Sequence, residues 1–329
     1  MRKLFSSKRR CAALALLAAA ALGVSGVAWS QTGPIKVLVG FPPGGGTDVI
    51  ARVLADKLKD QLGVPVIVEN KAGAGGQLAA QALKAAAPDG NTLFLTHDHS
   101  VTILPLVMKN PGFDPAKDFV AVAGFATFVN ALAVSGGTPA KSVNDYVAWV
   151  RNQGAGKGTV GVPAPASVPE FLVKVVGQKY ALDLQAAPYR GSAPMMADML
   201  GNQIAAGVAS IPDFIENHKA GKIRVVAVMG GARQAVMPEV PTFAELGYPE
   251  VETHAWFGLF LPAAASRELA TRLQRDISRF MAEPEFRERQ IVAKGYDAVL
   301  STPEDFTLYL RRDSESRARA IRISGARAD

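Results

Sequence analysis

The sequence predicts an α/β protein of two lobes joined by two extended crossings, and three observations predict it. Short β-like runs alternate with helical patterns, which implies parallel sheets with helices on both faces. The alternation lapses at "FVAVAGFATFVNALAVS" (119–135), β-rich sequence with little helical period, and resumes beyond it as a second α/β unit of similar size. Another extended apolar run, "THAWFGLFLP" (253–262), then leads back to a helical C-terminus. These crossings place lobe 1 at residues 31–130 and 254–329 and lobe 2 at residues 131–253.

The first thirty of the 329 residues read as an export leader rather than as part of this fold. "MRKLFSSKRR" carries five basic residues and no acid, "CAALALLAAAALGV" is an apolar run of 14 residues, and "AWS" offers small residues at Ala28 and Ser30. That order is the n-, h- and c-region of a secretory signal peptide, with cleavage expected after Ser30. The apolar run is short for a membrane span. The Arg9–Arg10 pair admits twin-arginine export, but "CAAL" after it matches poorly, so general secretion is the default. The leader holds five of the chain's 36 Lys and Arg, which leaves 31 against 29 acids and removes most of the net charge of +7. The basic balance therefore gives no warrant for nucleic-acid binding. Cys11, the single cysteine, also lies in the leader, so the mature chain is expected to rely on its cores without disulfides.

Along the mature part, "IKVLVG" (35–40) reads as a strand, and Ile50, Val53, Leu54 and Leu58 share one face of the helix after it. "VPVIVEN" (64–70) precedes the helical "GGQLAAQALKAA" (75–86), and "NTLFLT" (91–96) leads into "SVTILPLVMK". Past the first crossing come a helix near 142–151, "GTVGV", a helix from 167, "LQAAPY", a helix from 193, "QIAAGVAS" and "IRVVAVM". "SRELATRLQRDISRFMA" and "TPEDFTLYLRRDSESRARAIRI" close the chain as helices. The basic tail has its charges interleaved with Asp313, Glu315 and apolar residues, which reads as a solvated helix face.

In open α/β sheets a ligand sits beyond the carboxyl ends of the strands, so function is expected in the loops that follow them. "GFPPGGGTD" (40–48) joins a strand to a helix start, where free N–H groups favour an anion. A nucleotide loop would need Gly-Lys-Ser/Thr, and here Gly46 is followed by Thr47 and Asp48; a dinucleotide fingerprint would need a third glycine where Val49 stands. What remains is backbone chemistry, or a tight turn with Asp48 capping its helix. "ENKAGAGGQLAA" (69–80) repeats the design, and two such loops on neighbouring strands would converge at one sheet edge.

Five segments in register carry a resemblance: "PIKVLVGFPPGGGTDVIARVLADKL", "VIVENKAGAGGQLAAQALKAAAPDGNTL", "PYRGSAPMMADMLGNQI", "GKIRVVAVMGGARQAVMPEVPTFAELGYP" and "WFGLFLPA". From about Pro34 to its end the chain resembles the Bug family of extracytoplasmic solute receptors, which are similar to the receptor subunit of tripartite tricarboxylate transporters. The resemblance implies a type II periplasmic-binding-protein (Venus flytrap) fold that closes on small carboxylates, held largely by loop N–H groups and bridging waters, with no enzymatic activity. It carries ligand contacts onto Phe41, Pro42, Gly44, Gly45, Thr47 and Asp48, and onto Ala74 and Gly75. It adds Thr96, His97 and Ser100 of "THDHS", and Ala164, Ala166 and Ser167 in the second lobe. Arg190, Gly191 and Ser192 of "YRGSA" follow, and Asp213 of "ASIPD".

The chain departs from that pattern at Val162 to Glu170, where the family often has small polar residues and a histidine at the position of Glu170. Ser167 and Glu170 make a good capping box; the alternative is an acid near the cleft that disfavours highly charged ligands. Both favour a monocarboxylate, an amide or a less charged solute over a tricarboxylate. His97 and His99 flank Asp98 and suit zinc by ligand type. No third histidine lies nearby in sequence, only His218 and His254, so no metal is expected and hydrogen bonding is the reading. Arg190 is either a bidentate carboxylate partner or a surface residue. Trp256 and Phe257 read as core or hinge packing.

A secreted hydrolase of small esters or amides is the competing class. It lacks a Gly-x-Ser-x-Gly elbow, a His-Glu-x-x-His pair and a mature cysteine. The expectation is a periplasmic, monomeric receptor without a cofactor. It takes a small organic acid or related polar solute and works with membrane transporter or sensor subunits.

Overall fold

The computed structural model describes residues 33–154, 157–248 and 254–324. The expected leader lies outside the described residues. The first sheet contains β1 (Ile35–Val39), β2 (Val66–Asn70), β3 (Thr92–His97) and β4 (Phe119–Phe128), and is completed late in the chain by β10 (Ala255–Pro262) and β11 (Asp297–Ala298). The second contains β5 (Asn130–Ser135), β6 (Lys157–Val162), β7 (Asp183–Pro188), β8 (Ala206–Ser210) and β9 (Ile223–Val228). Their strand orders are β11-β4-β10-β3-β1-β2 and β7-β6-β8-β5-β9. β1 pairs in parallel with β2 and β3, and β6 with β7 and β8. β10 is antiparallel to both β3 and β4, and β5 to both β8 and β9. Only Val129 separates β4 from β5, so the chain passes between sheets in a single buried residue.

The helices of eight residues or more are α1 (Gly46–Leu62), α2 (Gln77–Lys84), α3 (Val143–Gly154), α4 (Val168–Tyr180), α5 (Ser192–Leu200), α6 (Ile211–Lys219), α7 (Arg267–Met281) and α8 (Pro303–Ser324). No described helix is long and apolar enough to cross a membrane. On α1, Ile50, Leu54 and Leu58 are buried one turn apart, while Val53 is partly buried. α6 begins inside "ASIPD" (209–213), the segment that carries the expected contact Asp213. Ser210 is its N-cap residue, Pro212 lies in the first two helical positions and Asp213 in the first turn. These are helix-start signals, compressed here into a stretch with no intervening turn.

Both faces of the central strands of the first sheet, β3, β4 and β10, are largely buried, which is why they read as continuous apolar runs, whereas Ile67 of the edge strand β2 is exposed. Val37, Val39, Leu93, Leu95, Phe257 and Leu259 pack in one core, and their neighbours Leu38, Phe94, Trp256 and Phe260 in another. The period of two along each strand sends alternate side chains to opposite cores. α8 covers the second of these cores through Phe306, which is 2% exposed. Its ring lies against Gly124 of β4 and Gly258 of β10, where any Cβ would collide with it. Truncating Phe306 leaves a cavity that two strands cannot collapse to fill. Phe306→Ala is expected to lower stability by about 3–5 kcal/mol in urea unfolding; a loss under about 1 kcal/mol would show that α8 contributes little to this core.

Candidate functional site

The carboxyl ends of β1, β2 and β3 from one sheet and β6, β7 and β8 from the other carry the loops of interest. The loop after β1 is braced from behind. Asp48, 2% exposed, accepts from Gly44 N at 2.9 Å, from Arg52 Nε and Nη2 at 2.9 Å each, and from Asn70 Nδ2 at 2.8 Å. Asn70 Nδ2 also donates to Phe41 O at 3.0 Å. Burial alone would raise the Asp48 carboxyl pKa, but the Arg52 guanidinium, the Gly44 N–H and Asn70 hold it below the ordinary value. Asp48 thus spends its oxygens on the loop itself.

The loop after β2 runs through left-handed backbone at Ala74 (φ 45°), Gly75 (φ 63°) and Gly76 (φ 97°). Ser100 Oγ donates to Gly75 O at 2.8 Å, and His99 Nε2 would lie 2.6 Å from a Cβ on Gly75, so that position has no room for a side chain. At the end of β3, His97 stacks on Phe41 with ring centroids 4.8 Å apart and meets Phe128 and Phe257 edge-on at 6.1 and 5.8 Å. Its Nδ1 is 3.3 Å from Asp98 Oδ1. Asp98 Oδ2 accepts from Arg317 Nη2 at 3.2 Å, and Arg317 Nε donates to Asp313 Oδ1 at 3.3 Å. Asp313 Oδ2 accepts from Thr102 Oγ1 at 2.7 Å and Trp256 Nε1 at 3.1 Å. The end of α8 is therefore not a wholly solvated face: Arg317 turns inward to the β3 loop. Burial tends to raise the Asp98 pKa, but His97 and Arg317 keep it below the usual carboxylate value. His99 is 4% exposed, and neither ring nitrogen has a hydrogen-bond partner among the described residues. Burial, with a further push from His97, takes its pKa down to about 4, so it is neutral at pH 7.

In the second lobe Ser167 is the N-cap of α4. Its Oγ accepts from Glu170 N at 3.4 Å and donates to Ala164 O at 2.7 Å. Glu170 Oε2 accepts from Ala166 N at 2.7 Å and Oε1 lies 2.9 Å from Lys174 Nζ, so the acid is engaged in capping its helix. Asp213 does something the sequence did not announce. Its Oδ1 accepts from Ser192 Oγ at 2.5 Å and, across the cleft, from Gly46 N at 2.7 Å; its Oδ2 accepts from Ser210 Oγ. Tyr296 Oη donates to Gly46 O at 2.8 Å.

Two adjoining cavities lie between these loops. The first, of about 60 Å³, is lined by Phe41, Pro42, Gly45, Thr47, His97, Ala164, Ser167, Ser192 and Asp213 of the expected residues. The second, of about 280 Å³, is lined by Phe41, Ala74, Gly75, Arg190 and Gly191. Gly44, Asp48, Thr96, Ser100 and Ala166 line neither; Asp48 and Ser100 brace the loops that do. The first cavity also takes Asp98, His99, Ile103, Phe128, Asn130, Ser210 and Phe257, which sequence reasoning had not assigned to the ligand. Asn130 carried a signal, a lone amide inside the apolar "FVNALAVS". Phe128 and Phe257 carried none, because an aromatic residue facing a cavity and one facing a core look alike in sequence. Among the described residues, no three metal-ligating side chains converge.

Arg317 and Asp98 expose only 15% and 5% of their side chains. Removing one partner of a buried pair strands the other, so Arg317→Met is expected to cost about 3–5 kcal/mol at neutral pH in urea unfolding. Because the folded pKa of Asp98 lies below its unfolded value, this stabilisation is complete above an unfolded pKa of about 3.9 and is lost as pH falls through the folded one. The gap between wild type and variant should narrow below about pH 4. A gap independent of pH across that range would mean Arg317 acts through packing alone.

Comparison with known proteins places this geometry. Residues 50–325 match the model of the tripartite tricarboxylate transporter family receptor. The chain is 31% identical to Protein BugT of Bordetella pertussis over 295 residues, 89% of this chain and 90% of that one. It is similar to the structure of the periplasmic binding protein BugD, with a TM-score of 0.83, 25% identity and coverage of 90% of this chain and 99% of that one. It is also similar to a structure of R. palustris Rpa4515 with adipate, with a TM-score of 0.85, 26% identity and the same coverage. The two-lobed type II periplasmic-binding-protein fold is shared with these two structures. The chain therefore belongs to the receptor family of the tripartite tricarboxylate transporters, the Bug-type solute-binding proteins.

Proposed function

We propose that the protein captures a small carboxylate or related polar organic solute outside the cytoplasm by closing its two lobes over it, for uptake or sensing. The observation that carries this reading is the pair of cavities walled by loops from both sheets and spanned by the Gly46–Asp213 hydrogen bond. Backbone donors on the Ala74–Gly75 loop and Arg190, which has no partner among the described residues, suit an organic anion. Adipate in the related Rpa4515 structure supports a carboxylate. The chain acts as a monomer in the periplasm after removal of its leader, and hands the solute to membrane transporter or sensor subunits. A hydrolase reading gains nothing from the site: Ser192 and Ser210 both donate to Asp213, with no imidazole in either pair.

Closure is selected by the contacts a solute makes only when both lobes surround it. A thermal-shift screen of the exported protein against mono-, di- and tricarboxylates and their amides should find at least one member that raises the melting temperature. X-ray scattering with that member should show a smaller radius of gyration than in ligand-free solution. Absence of any shift across the library would sink the receptor reading; binding without compaction would sink lobe closure.

A further inference from the structure

Two of the first cavity's lining residues, Asp98 and Asp213, are acids, and none is a lysine or arginine. Asp98 is already paired with Arg317, so Asp213 is the acid left to act on a solute. Three donors that a solute's carboxylate would seek at the start of α1, Gly46 N, Ser192 Oγ and Ser210 Oγ, already serve Asp213. The anion site at the start of α1 thus holds the protein's own carboxylate. His99 also lines this cavity, but both of its ring nitrogens are buried away from it, and being neutral it brings no positive charge. The second cavity has the opposite character. It presents Arg190, exposed and without a partner among the described residues, beside the backbone of the Ala74–Gly75 loop. The two cavities share Phe41 and Pro163 as walls.

Resting on the receptor reading above, we propose that the solute is a bipolar molecule. Its single carboxylate points to Arg190, and a nitrogen-bearing donor group, an ammonium or a primary amide, points to Asp213. A second carboxylate at that end would meet Asp213 with no lysine or arginine lining the cavity, and like charges held close are strongly disfavoured in a water-poor site. The N–H groups of an ammonium or amide donate to Asp213.

The test compares matched pairs by calorimetry on the exported, purified protein. Succinate is set against succinamate and β-alanine, glutarate against glutaramate and γ-aminobutyrate, and adipate against adipamate and δ-aminovalerate. The nitrogen-ended member is expected to bind at least about tenfold tighter in each pair that binds, and Asp213→Asn should reduce that ratio by about tenfold or more. The ratio within one variant cancels any general cost of the substitution to folding or closure. Should Asp213→Asn not fold, Arg190→Gln serves instead, and is expected to weaken both members of a pair alike. Tighter binding of the dicarboxylates, no binding of any nitrogen-ended member, or a ratio unmoved in Asp213→Asn overturns the assignment. Dicarboxylate preference with compaction would overturn it while leaving the receptor reading standing.

Discussion

The carboxylate of Asp213 sits where the two lobes meet, and the rest of the site is arranged around it. It belongs to the first turn of α6 in one lobe and accepts the backbone N–H of Gly46 at the first turn of α1 in the other. A negative group at a helix N-terminus is favoured by the unsatisfied N–H groups there. Here the acid comes from 167 residues away. Close approach is what makes the bond feasible. Gly45 leaves room for Ser192 and Gly46 for Ser210 and Pro212, while Gly191 takes Pro42 against its bare Cα. Tyr296 holds the carbonyl of Gly46, so the first residue of α1 is fixed through both its N–H and its carbonyl.

Two further polar networks keep the walls rigid. Asp48, Arg52 and Asn70 tie the β1 loop to β2, and Asp98, Arg317 and Asp313 tie the β3 loop to α8. Each puts a carboxylate beneath a loop that carries cavity-facing residues. The consequence for recognition is selectivity by position of charge. The lobe interface and the β3 loop contribute acids to one cavity, and the loops after β2 and β7 contribute backbone and an arginine to the other.

Much of the architecture was legible along the chain because its causes are local. The apolar periods of "IKVLVG" and of Ile50, Leu54 and Leu58, and the lapse of helical period at 119–135, reappear as β1, α1 and the β4–β5 crossing. The Ser167–Glu170 capping box likewise spans only four residues and was readable as one. The glycine-rich loops were recognisable as cleft loops from their place after strands. Which polar atoms face the solute was not. Asp48 and Asp213 are both acids in the first turn of a helix, and nothing local separates one that braces its own loop from one that crosses the cleft. The tail around Arg317 read as solvated because its partner, Asp98, is 219 residues away. By itself the sequence determined element order, helix starts and the set of loops at the cleft, since these follow from propensity and spacing over a few residues. Only the tertiary structure decided how the hydrogen bonds are shared out, because a buried donor or acceptor takes its partner by proximity in space, and that proximity is set by the packing of two sheets.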